Sequence, residues 1–252
     1  MRVLMLGRGG CGRTTLSVLL ARELAKIGFK PLIIDADESN RGITKLLGVP
    51  EPAWLIEAMG GSEEVYKVVH GVLRRVIPLC GCLIKSSDGI TLIQAGKLMV
   101  GGEGCACPIH LAALSLLRSL KDSFKEPVII DTGSSVEFLG RGLSGGLIDL
   151  ALFVADGAQE NVELAVRIER MCAELGIPNF IVVVNKTYME GSSITNRFQG
   201  LGFKVMGLVR FDPLIYWSSL QGGPLKAGPA AMDSRRLVNE LLTTLSLKAG
   251  GK

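Results

Sequence analysis

A glycine-rich loop close to the N-terminus has the residue types of a phosphate-binding site. It lies between a predicted strand and a predicted helix and reads Gly7-Arg8-Gly9-Gly10-Cys11-Gly12-Arg13-Thr14-Thr15. Glycines allow the backbone to curl so that several N–H groups point at one ligand, and the first turn of the helix adds its positive dipole end. Thr14 stands at the hydroxyl position that holds Mg²⁺ in such loops. The predicted polyphosphate site comprises Gly9, Gly10, Cys11, Gly12, Arg13, Thr14 and Thr15.

Polar side chains stand where later predicted strands end. One strand ends in Asp35-Ala36-Asp37, a second apolar run closes on Asp131, and a third is followed by Asn185-Lys186. Open α/β sheets place their ligand sites at the carboxyl ends of parallel strands. Asp131 is therefore predicted to hold Mg²⁺ through water, as a Walker B carboxylate does. The Asn185 amide is predicted to contact the edge of a nucleotide base.

Four of the six cysteines form two Cys-x-Cys pairs, Cys80-Gly81-Cys82 and Cys105-Ala106-Cys107. In a chain of this length without an export signal, paired thiols favour metal or redox chemistry over structural bridges. Two thiolates do not complete a tetrahedral metal site. Either all four lie in one chain and hold one zinc ion per monomer, or one pair meets its copy on the two-fold axis of a dimer. Unliganded thiols are the third interpretation.

The other thiols and one histidine have simpler interpretations. Cys11 in the loop and Cys172 on an apolar helix are predicted to line or fill the core. His110 lies on a predicted helix after Pro108. It is interpreted as an ordinary packed or surface histidine in preference to an additional metal ligand.

Short apolar strands alternate with helical patterns, which is typical of a mostly parallel, twisted sheet with helices on both faces. Strands are predicted at residues 3–6, 31–35, 91–94, 128–131, 150–154, 180–185 and 205–209. Helices are predicted at residues 16–26, 109–120, 161–175 and 234–248. We expect a single α/β P-loop domain over residues 1–252, with an irregular insertion at about residues 51–87.

Composition narrows the class of protein further. Of 252 residues, 48% are hydrophobic and only 5% aromatic, so the core is expected to be aliphatic. The apolar runs are shorter than a membrane span, and the N-terminal strand leaves no room for a cleavable signal. A net charge of +4, evenly spread, does not indicate nucleic acid. We therefore expect a cytoplasmic protein that binds neither membrane nor nucleic acid.

Together these motifs resemble those of the MinD/ParA group of dimeric ATPases with a deviant Walker A loop, a group that includes the nitrogenase iron protein. The resemblance is carried by residues 8–15, by Asp35-Ala36-Asp37 and by Asn185-Lys186. Within the group, residues 102–108 (Gly-Glu-Gly-Cys-Ala-Cys-Pro) and 131–142 resemble the CooC-type accessory ATPases for nickel insertion into carbon monoxide dehydrogenase. Phe211-Asp212-Pro213 falls where the family has a similar motif.

The resemblance implies ATP and ADP as ligands, Mg²⁺ at Thr14 and Asp131, and a homodimer formed around the nucleotides. It implies that Arg8 reaches the nucleotide of the partner subunit, that Arg13 stands at the P-loop lysine and that Asp37 positions the attacking water.

For the cysteines, the resemblance implies that Cys105 and Cys107 of two subunits share nickel, zinc or an iron–sulfur cluster. The implied partner is a client metalloenzyme of the carbon monoxide dehydrogenase type.

The chain departs from the family pattern at several positions. Two family lysines are Arg8 and Arg13, the family's Ala-Gly is Ser134-Ser135, and its Glu-His is Glu137-Phe138. A guanidinium is a broad planar fork, whereas an ammonium is compact, and displacing reacting atoms by about 1 Å costs roughly 100-fold in rate. We therefore predict slow hydrolysis. Two function classes follow: an ATP-driven metallochaperone or maturation ATPase, and a nucleotide-gated switch that hydrolyses little and docks a partner.

Overall fold

The computed structural model describes residues 1–69, 81–188 and 192–245. Over these residues the strands are β1 (Arg2–Gly7), β2 (Leu32–Ala36), β3 (Ile84–Lys85), β4 (Thr91–Gln94), β5 (Val128–Thr132), β6 (Leu150–Ala155), β7 (Phe180–Thr187) and β8 (Val205–Arg210).

The eight strands of the described chain form one sheet in the order β3-β4-β2-β5-β1-β6-β7-β8. Every neighbouring pair is parallel except β3 and β4, which are antiparallel. Strand β1 lies in the middle, where Met5 is paired with Asp131 on one side and with Leu152 on the other. Parallel strands place their carboxyl ends at one edge, so the loops after β1, β2, β5 and β7 meet there.

Helices connect the strands and are α1 (Arg13–Lys26), α2 (Gly42–Leu47), α3 (Leu55–Ala58), α4 (Ser62–Val69), α5 (Cys107–Leu120), α6 (Ser135–Leu139), α7 (Glu160–Glu174), α8 (Ser192–Gly200), α9 (Pro213–Gln221) and α10 (Pro229–Thr244). A 3₁₀ turn at Gly145–Leu147 precedes β6. None of the helices in the described ranges is long and apolar enough to cross a bilayer.

The core lies in two layers, one on each face of the sheet. Side chains alternate along a strand, so Leu4 and Leu6 join one layer while Val3 and Met5 join the other. Helices α5 and α7 cover the first layer, and α1 and α10 cover the second. The predicted fold, a mostly parallel sheet with helices on both faces, is therefore confirmed.

Some helix boundaries differ from the predicted ones for local reasons. Helix α1 begins at Arg13, three residues before the predicted start, because the left-handed Gly12 leads directly into its first turn. Helix α5 begins at Cys107 and carries Pro108 in its first turn, where a missing N–H costs no hydrogen bond. Helix α10 begins at Pro229 instead of residue 234.

The segment predicted as an irregular insertion, residues 51–87, contains regular structure in its described part. It includes α3, α4 and the short edge strand β3. Ile84 is paired with Leu92, so β3 extends the sheet beyond β4. Residues 70–80 of the segment, including Cys80, lie outside the described residues.

Candidate nucleotide and cysteine site

The glycine-rich loop between β1 and α1 has a backbone that only glycine tolerates. Gly12 has a φ of +97°, and a Cβ at this position would stand 2.3 Å from Asn185 Nδ2. Gly7 has a φ of +144°, and its Cβ would stand 2.3 Å from the carbonyl oxygen of Val154. Gly9 and Gly10 are exposed, with open space where their side chains would be. This open, curled backbone fits the predicted phosphate cradle.

Two side chains at the end of β7 donate hydrogen bonds to the glycine-rich loop. Asn185 Nδ2 donates to the Cys11 carbonyl at 2.9 Å, and Lys186 Nζ donates to the Gly10 carbonyl at 2.7 Å. Asn185 lines the same cleft as the loop. Its amide nitrogen is thus bonded to the phosphate loop, which the sequence did not predict, and its base contact stays a prediction.

Thr14 and Asp131 meet at the mouth of the loop. Ser17 Oγ donates to Asp131 Oδ1 at 3.2 Å. Burial and the charge of Asp35 raise the pKa of Asp131 to about 7, while the nearby Thr14 hydroxyl acts to lower it. Asp131 Oδ2 is buried and has no hydrogen-bond partner within the described residues. A buried carboxylate oxygen without a partner, beside a threonine hydroxyl, fits a water ligand of Mg²⁺.

Asp35 is buried in an ion pair that the sequence analysis missed. Lys97 Nζ lies 2.8 Å from Asp35 Oδ2, and Gln94 Nε2 donates to the same oxygen at 3.0 Å. Both Asp35 and Lys97 are at least 97% buried. Burial raises the pKa of Asp35, and the Lys97 ammonium opposes that rise. Asp35 therefore neutralises Lys97 and lies behind the site. Asp37, two residues later, lines the cleft.

Asp37 directly follows β2, and its carboxylate lines the cleft. Its Oδ1 accepts hydrogen bonds from the Ser39 N–H at 2.9 Å, the Ser39 hydroxyl at 2.7 Å and the Asn40 N–H at 3.1 Å. Its backbone carbonyl accepts from Lys97 Nζ. The contact with Gly133 is so close that a Cβ there would stand 2.9 Å from Asp37 Oδ1. Its location beside the loop is compatible with the predicted role of positioning water.

The two arginines of the loop differ in environment. Arg13 is buried, and its Nη1 donates to Ser135 Oγ at 3.0 Å. The same hydroxyl accepts from the Gly7 N–H at 2.9 Å and donates to the Gly7 carbonyl at 3.0 Å. Arg8 is exposed at the leading edge of the loop, and its side chain forms no hydrogen bond or ion pair within the described residues. Arg13 lines the cleft, whereas Arg8 points away from the core, as contact with a second subunit requires.

The cleft has a volume of about 800 Å³. Opposite the loop, its wall contains Tyr188 and Phe211, whose rings stack with centroids 4.7 Å apart, and Tyr216. A cleft of this size with an aromatic wall suits a nucleotide. Asp212 fixes the corner after β8 by accepting hydrogen bonds from the backbone N–H groups of Leu214, Gly228 and Ala230.

Cys105 and Cys107 lie together at the surface, at the start of α5. Cys105 is exposed, Cys107 is half-buried, and the two are joined in a disulfide with Cα atoms 5.3 Å apart. The sequence had favoured metal or redox chemistry over bridges. The difference arises because only one residue separates the two cysteines, so that their sulfurs meet at the start of α5. Metal binding at this pair requires the reduced thiolates.

The remaining cysteines agree with their simpler interpretation. Cys11 and Cys172 are buried, and burial raises their pKa values to about 11 and about 12. Cys82 is also buried. In the part of the chain that the structure describes, no group of three or more His, Cys, Asp or Glu side chains is placed to hold a metal ion.

His110 is a packed histidine, as the sequence favoured. It is fully buried on α5, its ring meets that of Phe138 edge-on at 5.4 Å, and its Nε2 lies 3.2 Å from Glu38 Oε2. This contact is the leading cause of a lowered pKa at Glu38.

Sequence analysis missed Ser17, Glu38, Gln94 and Lys97 as members of the site. Gln94 and Lys97 follow the rule that identified Asp35, because they stand at the end of a predicted strand. Glu38 lies directly after the predicted acids. Ser17 had no signal other than its place one helical turn after Arg13.

Comparison with protein families identifies a nucleotide-binding domain. The model of the CobQ/CobB/MinD/ParA nucleotide-binding domain matches residues 3–225. An uncharacterised ATP-binding protein of Methanocaldococcus jannaschii is 36% identical over 194 residues, which cover 73% of this chain and 78% of that protein. The carbon monoxide dehydrogenase accessory protein CooC of Rhodospirillum rubrum is 28% identical over 229 residues, 85% of each chain.

Solved structures agree on the fold. The septum site-determining protein MinD of Pyrococcus horikoshii, in complex with Mg-ADP, superposes with a TM-score of 0.70 at 17% identity. The match covers 95% of both chains. At this identity the likeness concerns the fold.

Proposed function

The chain belongs to the CobQ/CobB/MinD/ParA family of nucleotide-binding domains, and from that membership we propose that it is an ATP-dependent metallochaperone or maturation ATPase. Mg-ATP binding and slow hydrolysis drive the handling of nickel, zinc or an iron–sulfur cluster at Cys105 and Cys107. Two subunits share the metal, and the client is a metalloenzyme of the carbon monoxide dehydrogenase type. The CooC relative supports this client class by its name.

One observation carries the proposal. Lys97, eight residues before Cys105 in the chain, reaches the end of β2, where it contacts Asp35 and the Asp37 carbonyl. One continuous segment therefore carries both the surface cysteine pair and a contact with Asp37, which lines the nucleotide cleft. Such a connection is what an ATPase needs if nucleotide is to govern a metal site.

The chain's own residues have distinct tasks in this function. The backbone N–H groups of the loop bind phosphate, Thr14 and Asp131 hold Mg²⁺ directly and through water, and Mg²⁺ supplies charge neutralisation at the phosphates. Asp37 orients the attacking water. Arg8 reaches the facing subunit, and Arg13 neutralises phosphate charge.

Calorimetry with Mg-ATP and Mg-ADP tests the nucleotide half of the proposal. We expect both to bind, and we expect Thr14→Ala to weaken binding by about tenfold or more in Mg²⁺ while leaving affinity in EDTA unchanged, because Thr14 acts through the metal. Absence of binding at millimolar ligand would contradict the phosphate site itself.

Metal analysis of reduced, untagged protein tests the cysteine half. A shared site holds half an equivalent per chain of nickel, of zinc or of the whole iron–sulfur cluster, and Cys105→Ala/Cys107→Ala should abolish it and weaken the dimer together. Cys80→Ala/Cys82→Ala is the matched control and should do neither. One metal per monomer, lost equally with either pair, would indicate the single-chain zinc site instead.

A nucleotide-gated docking switch is the second candidate, and the Arg13–Ser135 hydrogen bond favours it. An arginine held by Ser135 is less free to follow the γ-phosphate through the transition state. Single-turnover hydrolysis separates the two: the docking switch predicts nucleotide-dependent dimerisation without measurable phosphate release, whereas the ATPase predicts slow release that Asp37→Asn abolishes.

A further inference from the structure

Two segments of the site are linked by a set of contacts that the proposed chemistry does not use. The switch segment (residues 37–40) lines the cleft, and the cysteine segment (residues 95–110) carries the surface pair. Lys97 Nζ donates to the Asp37 carbonyl, and the Leu98 N–H donates to the Glu38 carbonyl at 2.9 Å. His110 Nε2 and Glu38 Oε2 are 3.2 Å apart. The two segments are therefore joined at both ends of the cysteine segment.

The Glu38–His110 contact joins a firmly held group to one that can move. His110 is fully buried on α5 beside Phe138, so its ring is fixed relative to that helix. Glu38 is half-buried and belongs to the loop that follows β2. A displacement of the loop therefore stretches this contact or pulls the start of α5 with it.

The start of α5 carries the cysteine pair. Cys107 is its first residue and His110 follows three residues later, about one helical turn away on the same face. Cys105 is exposed two residues before the helix. The Gly101, Gly102 and Gly104 positions around it have open space in place of side chains. Motion of the first turn of α5 is thus transmitted directly to both sulfurs.

Asp37, the residue before Glu38 in the chain, lines the nucleotide cleft. All three hydrogen bonds to Asp37 Oδ1 come from within the switch segment, so a ligand that re-orients this carboxylate shifts the backbone of Glu38. We propose that Glu38 and His110 are positioning residues through which nucleotide in the cleft sets the exposure of Cys105 and Cys107. This inference rests on the proposed nucleotide-dependent function and names its internal connection.

Thiol alkylation measures this coupling without any metal. Reduced protein is treated with iodoacetamide, with and without a non-hydrolysable ATP analogue and Mg²⁺, and modification of Cys105 and Cys107 is followed by peptide mass spectrometry. In the wild-type protein we expect nucleotide to change the rate by about fivefold or more, the lower range of allosteric coupling. In Glu38→Ala and His110→Leu, each assayed at an analogue concentration that saturates that variant by calorimetry, the ratio of the two rates should fall to about one. The double variant should add nothing further, because both residues belong to one contact.

Glu103→Ala is the matched control. Glu103 accepts hydrogen bonds from the Met99 and Val100 N–H groups, and within the described residues it forms no hydrogen bond or ion pair with the switch segment. Its removal should raise the alkylation rates with and without the analogue and leave their ratio at the wild-type value. The control therefore distinguishes a more mobile cysteine segment from a loss of coupling to nucleotide. If His110→Leu does not fold, Glu38→Ala decides alone. A wild-type ratio in Glu38→Ala, or a ratio of one in wild-type protein that binds the analogue, overturns this inference and leaves the proposed function intact. Failure to bind the analogue overturns both.

Discussion

At the scale of single residues, two departures from the family pattern are in contact with each other. The resemblance places Arg13 at the family's P-loop lysine and Ser135 at its glycine, and the Arg13 guanidinium donates to the Ser135 hydroxyl. Ser135 also bridges the N–H and the carbonyl of Gly7. A glycine at position 135 would leave the buried guanidinium without this partner, so the two replacements compensate each other within one buried network.

We predict that Arg13→Lys raises single-turnover hydrolysis, and that Arg13→Lys/Ser135→Gly raises it further. An ammonium reaches the γ-phosphate without the width of the guanidinium, and correcting a misplacement of about 1 Å recovers up to roughly 100-fold in rate. Phosphate release in a rapid-quench assay measures the effect. Arg22→Lys, on the same helix but bonded to Asp88, is the control and should hydrolyse at the wild-type rate. Equal rates in all variants would show that the arginine does not limit turnover.

Buried thiols provide a second prediction at this scale. Burial raises the pKa of Cys11 to about 11 and of Cys172 to about 12, so both are protonated at pH 8. Because the thiolate is the reactive form and both side chains are buried, alkylation of native, reduced protein at pH 8 should be at least about tenfold slower at both positions than at the exposed Cys105. Peptide mass spectrometry after timed labelling gives the rates, and circular dichroism checks that the fold persists. Labelling of Cys11 or Cys172 as fast as Cys105 would indicate an ordinary, exposed thiol.

At the scale of elements, the loop between β1 and α1 depends on its contact with the end of β7. Gly12 and Gly28 share a φ of +97°, but a Cβ at Gly12 would stand 2.3 Å from Asn185 Nδ2, whereas a Cβ at Gly28 meets nothing within 4 Å. Alanine substitutions at Gly12 and Gly28 therefore distinguish the cost of backbone strain, which both share, from the steric conflict with Asn185, which only Gly12 has.

Gly28→Ala should lower the free energy of unfolding by about 1–2 kcal/mol, the cost of a left-handed alanine. Gly12→Ala should cost more, because the Asn185 amide must also leave its bond with the Cys11 carbonyl, and it should abolish nucleotide binding. Urea unfolding and calorimetry measure the two effects. Gly12→Ala/Asn185→Ala should recover part of the lost stability, since the conflict is removed. Equal costs for Gly12→Ala and Gly28→Ala would refute the role of Asn185.

The arrangement of helices and strands explains which residues of the site could be predicted from the sequence and which could not. The strand–loop–helix order and the acids Asp35, Asp37 and Asp131 were predictable, because glycine composition and strand ends are local features. Lys97 was not identified, because its partner Asp35 lies 62 residues away in the chain and only the adjacency of β2 and β4 brings them together. The contact of His110 with Glu38 likewise depends on where α5 lies relative to the end of β2.

At the scale of the whole molecule, the nucleotide cleft and the cysteine segment lie at one edge of the sheet. The loops that follow β1, β2, β4 and β5 all leave at this carboxyl edge, since these strands are parallel. Arg8 is exposed there, beside the phosphate loop. In the dimer that we propose, a second subunit facing this edge would bring its Arg8 toward the nucleotide and its cysteine pair toward the first subunit's pair.

We predict that ATP promotes dimerisation and that Arg8 carries the effect. A long exposed cation at the leading edge of the loop can reach phosphates on the facing subunit, and charge-assisted contacts to phosphate are among the stronger hydrogen bonds. Reduced, chelated protein removes any dimer held by metal, so that sedimentation velocity reports nucleotide alone. The wild type should shift from monomer toward dimer with a non-hydrolysable ATP analogue, and Arg8→Ala should remain monomeric. Arg170→Ala removes an equally exposed arginine whose partner is Glu174 on α7, and it should dimerise like the wild type. Identical monomer–dimer balances in wild type and Arg8→Ala, each with bound analogue, would place the dimer contact elsewhere on the molecule.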